Sequence, residues 1–386
     1  MTNVRPFTYG DAPAVATLYE RVMRSRTDDA PPLLAPALVR YFLDHPWADP
    51  EIPALVCEGK GGRILGFIGS TVRRMIFDGR PVRLGCSGPL LRSPEPSAGM
   101  VGALLQRAYL AGRQDFSVTD GATPDAARLW IGMGGRAVDL PSLDWMKVFR
   151  PARFAVEFGF DRLGLTRWKP AASALGTPLD AVARRRLGAG KPDDTVSEEL
   201  SPDALAAFAE EGTGWARLRP AYDRPFADWL FAEMGALPSR GPLSRRLVRD
   251  REGRVLGWHV AFVPPGGIAE VMQVVAKPRM AGAVIDDLFH TMDAAGAAGV
   301  RGRLEAPLQA ALAERGVLIR RGVPALIHTR SRELLSAIAL GEAVLTRLDG
   351  EWWLPLHLER YETVPAKGRA TASRPALPSA SDAAMS

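Results

Sequence analysis

The chain has 386 residues, 47% hydrophobic and 24% charged, an ordinary globular composition that is long for one core and comfortable for two. Two cysteines, Cys57 and Cys86, argue against a disulfide framework and exclude a zinc site built on several thiolates. The five histidines (His45, His259, His290, His328 and His357) show no HExxH or paired spacing, so no metal is expected, and the net charge of +6 comes from scattered arginines without an aromatic-interleaved basic stripe, so no nucleic-acid partner is expected either.

The opening residues MTNVRPFTYGDA hold charges and no apolar run, unlike a signal peptide. No run of about 18 apolar residues follows anywhere, so no membrane span is expected and the cytoplasm is the expected location. Val4 to Phe7 reads as a short strand. Asp11 reads as the N-cap of a helix with Pro13 in its first turn and Val15, Leu18, Tyr19 and Val22 on one face. Two β-rich runs, 54–58 and 63–72, flank the turn Gly59-Lys60-Gly61-Gly62 and predict a hairpin. An apolar run over 82–91 leads into a Pro-containing loop and a helix from about Met100, with Val101, Leu104, Leu105 and Ala108 on one face. A strand over 115–119, a helix over 124–131 and final strands within 138–148 complete the first half. This mixed order differs from the regular alternation of a doubly wound fold. Residues 151–195, with Pro170, Pro178 and Pro192, read as an irregular connector, and residues 363–386, rich in Ala, Pro and Ser, as a disordered tail. The runs Arg184-Arg185-Arg186 and Arg245-Arg246 read as solvated charge.

The second half echoes the first. Gly62-Arg63-Ile64-Leu65-Gly66-Phe67 returns as Gly253-Arg254-Val255-Leu256-Gly257-Trp258, and the stretch from Leu90 to Pro94 returns as Val274 to Pro278. Helices are predicted after each, over 99–111 and 282–295, and again over 124–131 and 307–315. Ser201-Pro202-Asp203 opens an Ala-rich helix as Asp11 does earlier. Agreement in order across five elements favours duplication over chance.

The opening V-R-P-x(4)-D-A-x-x-V-A-x-L-Y, and Asp125 to Trp130 followed by Met133-Gly134-Gly135, resemble the GNAT superfamily of N-acetyltransferases. The first half, 1–150, resembles a GNAT domain over nearly its whole length, and 196–362 resembles it more weakly. The fold class implied is a mixed α/β (α+β) sheet, present as two tandem GNAT-like acyl-CoA N-acyltransferase domains. Such tandems occur in mycothiol synthases, Fem-type aminoacyltransferases and acyltransferases of polysaccharide clusters.

The resemblance also implies that acetyl-CoA or another acyl-CoA lies between two splayed parallel strands, with its pyrophosphate on a helix N-terminus. The residues at those positions are Leu90, Leu91, Arg92, Ser97, Gly99 and Gly102 in the first half. In the second they are Val274, Val275, Lys277, Arg279 and Gly282. The loops depart from the family's Arg/Gln-x-x-Gly-x-Gly/Ala: the first has two prolines and Glu95, and the second lacks the glycine spacing. Where the family usually has a tyrosine acid, this chain has Trp130.

Direct acyl transfer needs a base for the amine. Glu270 resembles the location of a base glutamate in some members, and equally reads as a solvated strand residue. His259 reads as a base or a packed core histidine. Tyr361, with Glu359 beside it near the folded C-terminus, is a further catalytic candidate. Cys86 reads as a small buried hydrophobe. The aromatic group Trp215, Tyr222, Phe226, Trp229 and Phe231 reads as core or as an acceptor pocket, and Trp352-Trp353 as a strand end. Three functions stay open: an acyl-CoA-dependent N-acyltransferase acting on a small-molecule amine, with acceptor chemistry favoured in the second half; a Fem-like aminoacyl transferase; or a degenerate pair that binds without catalysing. A homodimer also stays open.

Overall fold

In the computed structural model, residues 2–26, 29–160, 169–190, 192, 194–354, 356 and 361 are described. The tail 363–386 and Glu359 lie outside them. The first half runs β1 (Asn3–Pro6), α1 (Ala12–Met23), α2 (Leu34–Phe42), β2 (Leu55–Glu58), β3 (Ile64–Phe77), β4 (Arg80–Arg92), α3 (Val101–Leu110), β5 (Phe116–Thr119), α4 (Pro124–Gly132), β6 (Arg136–Val138) and β7 (Leu143–Val148). Then come α5 (Pro151–Phe160) and α6 (Lys169–Leu187), a helical pair where an irregular connector was expected. The prolines misled that expectation: Pro151 opens α5, where its missing N–H costs nothing, and Pro178 is carried inside α6. The second half runs β8 (Thr195–Glu199), α7 (Pro202–Thr213), β9 (Leu218–Pro220), α8 (Arg224–Gly235), β10 (Leu243–Asp250), β11 (Val255–Phe262), β12 (Ile268–Ala276), α9 (Ala281–Ala294), β13 (Gly299–Arg303), α10 (Gln309–Glu314), β14 (Leu318–Arg321), β15 (Ala325–Thr329) and α11 (Arg332–Ala339).

Local chemistry sets many of these boundaries. The side chains of Thr123, Ser201 and Asp223 accept from the backbone N–H groups of Ala126, Ala204 and Phe226, capping α4, α7 and α8. Asp11 stands before α1 as expected but makes no capping bond. Its carboxylate instead takes the Arg5 guanidinium at 2.7 and 2.8 Å and the Thr8 backbone N–H at 2.9 Å. Trp352 and Trp353 fall in a turn rather than a strand end, with the Trp353 ring buried.

Two mixed sheets form. The first has the order β1-β2-β3-β4-β5-β15-β6, with β9 added along β3, and the second, from its other edge, β8-β10-β11-β12-β13-β7-β14. Position for position the two paths agree, with one parallel pair in the middle of each: β4 with β5, and β12 with β13. The echo seen in the sequence is therefore a repeated architecture. The repeat is interlocked, however. β7 lies antiparallel between β13 and β14, and β15 lies antiparallel between β5 and β6. Each half lends a strand to the other's sheet, so a boundary at residue 150 cuts across the second sheet. Period-2 patterning marks a strand but not its partner, which is why the exchange was not foreseen.

The largest core cluster joins the halves. Phe7, Tyr19, Tyr41 and Phe67 pack in it with Leu200, Phe226, Trp258, Val275 and Trp353. Each such side chain contributes about 1.5–3 kcal/mol on leaving water. Trp47, after α2, stacks on Phe226 of α8 at 3.6 Å between ring centroids and donates its Nε1–H to Asp223 at 2.8 Å. The aromatic group before the second hairpin is thus mainly inter-half core. No helix among the described residues is long and apolar enough to cross a membrane.

Candidate functional site

β4 and β5 are paired only over Leu84–Phe116, Gly85–Ser117 and Cys86–Val118. Beyond Cys86, β4 stays paired to β3 as far as Arg92 but parts from β5. Its β3 register slips between Ile68 and Ser70, which places a bulge near Gly88 and Pro89. Bulges re-aim backbone groups and break pairing, so one edge of β4 is left facing a gap. That gap holds a cavity of about 80 Å³ lined by β4 from Ser87 to Leu90, Gln106 of α3, Thr119, Gly121, Trp130 of α4 and Glu351, among others.

Glu351 comes from the second half and is buried. Its Oε1 accepts from Thr119 Oγ1 at 2.5 Å and from the Gly121 N–H at 3.0 Å. Its own N–H donates to Asp120 Oδ1 at 2.9 Å, and Asp120 in turn pairs with Arg303 of β13. Two glycines allow this approach: a Cβ on Gly350 would stand 2.3 Å from Asp120 Oδ2, and one on Gly121 3.0 Å from Glu351 Cδ. Burial first, and the neighbouring Asp120 charge second, push the Glu351 carboxyl up to about 8. Among the described residues it is the one titratable side chain lining the cavity. The Asp120–Arg303 pair ties the halves together beneath it, with exposures of 1% and 6%. An Arg303→Leu substitution is expected to cost about 3–5 kcal/mol by stranding the Asp120 charge, seen as a lower urea midpoint.

The entrance to this gap carries the first predicted loop. Leu90 lines the cavity, Leu91 is core, and Arg92, Ser97 and Gly99 are exposed. The first turn of α3 has no side-chain cap, and a Cβ on Gly102 would stand 4.0 Å from Arg92 Cδ, so the Arg92 side chain passes close to that turn. Glu95, the unfavourable charge of the loop, is turned into an ion pair with Arg63.

The second gap differs. β12 and β13 pair over Ile268–Gly299, Ala269–Val300 and Glu270–Arg301, and then part. Met272 is the extra residue of a bulge against β11, and its carbonyl accepts from the N–H of Leu348 at 3.0 Å. Gln273 Nε2 donates to Thr346 Oγ1 at 3.2 Å. The chain itself, at Thr346 to Leu348, meets the bulge that lies open in the first gap. Val274 and Val275 are core, Lys277 is paired with Glu211 at 2.5 Å, and Arg279 is exposed with φ at +67°. Gly282 faces Arg315, which Asp286 holds through two contacts of 2.6 Å.

The three sequence-selected catalytic candidates are not brought together. Glu270 accepts from Arg240 at 2.9 Å, Arg301 at 2.7 Å and Trp352 Nε1 at 3.3 Å. Burial alone would raise its carboxyl, but the Arg301 and Arg240 charges outweigh that and hold it below the ordinary value. A carboxylate so clamped is a poor proton acceptor. His259 is fully buried with Nε2 at 2.9 Å from Asp287 of α9, and burial lowers its pKa. Tyr361 packs against the shared core, its carbonyl accepting from the Leu33 N–H at 3.2 Å. Cys86 is buried where β4 and β5 part, and burial raises its thiol well above the ordinary value. Glu351 was missed because its role depends on contacts more than 200 residues away in sequence. The only local signal was Asp349-Gly350-Glu351, a turn-forming glycine between carboxylates. No cluster of metal-ligating side chains occurs among the described residues.

The sequence matches no protein-family model and no curated protein. Solved structures do match. A conserved protein of unknown function from Enterococcus faecalis V583, described as a probable N-acyltransferase, aligns over 89% of this chain and 74% of its own with a TM-score of 0.55 at 8% identity. A GCN5-related N-acetyltransferase from Anabaena variabilis aligns over 85% and 72% with a TM-score of 0.53 at 12% identity. Another from Kribbella flavida aligns over 85% and 72% with a TM-score of 0.50 at 15% identity. At such identities the likeness is one of fold: this chain has the GCN5-related N-acetyltransferase fold, in tandem.

Proposed function

We propose that this chain is an acyl-CoA-dependent N-acyltransferase with one active site, in the gap between β4 and β5, transferring an acetyl group to a small-molecule amine. The observation that carries the reading is the buried Glu351 carboxyl in the opening of a splayed parallel pair. Acyl-CoA, when bound, supplies the activated acyl group. Arg92 and the uncapped first turn of α3 suit its pyrophosphate, since open helix N–H groups and a guanidinium both favour anions. The free edge of β4 from Ser87 to Arg92 suits an extended arm bearing amides. Pro89 has no N–H, so Gly88 and Leu90 are the bulge donors available to polarise a carbonyl. Glu351, unprotonated, takes the proton of the amine as its nitrogen bonds to the acyl carbon; the C–S bond then breaks, and the departing CoA thiolate takes that proton back from Glu351. A proton affinity near neutrality suits that task, because the group is then both available and basic enough.

The second half serves structure in this reading. Its gap meets the Thr346–Leu348 stretch, its loop lysine is paired, and Glu270 is locked among guanidiniums. Acceptor chemistry therefore moves to the first half, against the expectation from sequence.

Calorimetric titration with acetyl-CoA tests both points. One equivalent is expected to bind per chain, and acetyl-CoA at about 100 times its Kd should add about 2.7 kcal/mol of stability, visible as a rise in Tm. Two equivalents would restore the second gap as a site. Absence of binding by acetyl-, propionyl- and longer acyl-CoA would end the proposal.

A further inference from the structure

The cavity between β4 and β5 is flanked by two polar side chains that the protein leaves unanswered. Gln106 of α3 is 2% exposed and Trp130 of α4 is 1% exposed, and both line the cavity. Among the described residues, Gln106 Nε2 and Trp130 Nε1 have no hydrogen-bond partner. Buried donors are almost always paired, and an unpaired one retains the full cost of its lost hydration. Two such donors beside one small cavity mark a place where something else completes them. A glycine keeps the Trp130 edge clear. Trp130 leans on Tyr109 at 6.4 Å between ring centroids, and a Cβ at position 135 would come within 2.3 Å of Nε1, so only glycine fits there.

We infer that Gln106 and Trp130 are the side-chain donors that grip the amide-bearing arm of the acyl donor in this gap. The inference rests on the acyl-CoA reading above. A primary amide can match a secondary amide group for group, giving its N–H to the carbonyl and its carbonyl to the N–H. Gln106 therefore pairs with an amide of the pantetheine arm. The indole N–H donates only, and takes a carbonyl oxygen. Trp130 occupies the position where a tyrosine acid was expected from resemblance, and an indole releases no proton in water. Trp130 thus contributes binding and orientation, and proton handling stays with Glu351. The same chemistry makes the arm, rather than the acyl group, the feature recognised here: CoA itself and its thioesters should share these contacts.

The test compares binding with stability. Gln106→Met keeps the side chain's length and removes its polar group. It is expected to weaken acetyl-CoA and CoA alike by about tenfold in titration calorimetry, the loss of one well-placed hydrogen bond. The Tm of the free protein should stay the same or rise, because a donor without a partner gives the free protein nothing. In the nitrogen-15 spectrum of indole groups, the resonance missing from Trp130→Phe identifies Trp130, and in the wild type it should move downfield on saturation with acetyl-CoA. Unchanged affinity in Gln106→Met with a stationary Trp130 resonance would overturn the inference while leaving the acyl-CoA reading intact. So would a lower Tm with affinity preserved, which is the mark of a packing role. Failure of the wild type to bind any of these ligands would remove the underlying reading and this inference with it.

Discussion

Replacing Glu351 with glutamine is expected to lower kcat by about 10²–10⁴-fold while acetyl-CoA affinity changes little. The substitution keeps size and hydrogen-bonding length, so Thr119 and the Gly121 N–H retain an oxygen to donate to. What is lost is the ability to accept a proton. In the wild type, kcat should rise with pH and level off above the carboxyl's raised value of about 8. In the variant that limb should vanish. A variant with wild-type kcat and an unchanged pH profile would show that the proton leaves by another route. The same substitution has a signature in stability. The carboxyl ionises near its ordinary 4.5 when unfolded and near 8 when folded, so within that window the folded chain holds more protons than the unfolded one. Wild-type stability contributed by this group is therefore complete below 4.5 and declines as pH rises through about 8. Glutamine removes the decline, so the variant should gain on the wild type with rising pH. By about pH 8 the difference should reach the order of 4 kcal/mol, measured as the separation of urea midpoints.

Residues 1–150 expressed alone are expected not to fold. The fragment lacks β15, so β5 and β6 have no strand between them, and it carries β7 with both partners missing. It also loses the Phe226, Trp258 and Trp353 side of the shared core. Unpaired strand edges with apolar faces favour aggregation over a native monomer. Near-UV circular dichroism should show no fixed aromatic environment, and joint expression with residues 151–386 should restore it. The intact chain should melt in one calorimetric transition. A fragment that melts sharply by itself would contradict the interlocked arrangement.

How far the sequence could be read follows from which signals are local. The first helix, the hairpin around Gly61, the helix after β4 and the repeat of these in the second half are all written in near neighbours, through periodicity, turn residues and caps. The fold class follows from their order. The strand exchange does not, because β7 and β15 read alike whichever sheet receives them. The helical pair after residue 150 was obscured by proline, which tells of a helix interior and of a helix start with the same letter. Among the residues to which the resemblance pointed, Leu90 lines the cavity, and Arg92 lies beside Gly102 in the first turn of α3. Glu270 was attractive for its place on the strand that would face the acceptor, and that place is where Arg240, Arg301 and Trp352 converge. Charge partners drawn from three separate stretches leave no trace in the residues around position 270. Glu351 is the converse case: a carboxylate in a turn, its proton held more tightly because of what it is folded against.

The stretch from Thr346 to Glu351 connects the two gaps in six residues. Its first part is fastened to the bulge of β12 by Leu348 and Gln273, and its last residue reaches Thr119. The position of Glu351 is thereby calibrated from a groove it never enters, as a workpiece is set by a clamp at its far end. On the acyltransferase reading, changes at Met272 and Gln273 in that remote groove would adjust turnover without altering any surface the reactants meet.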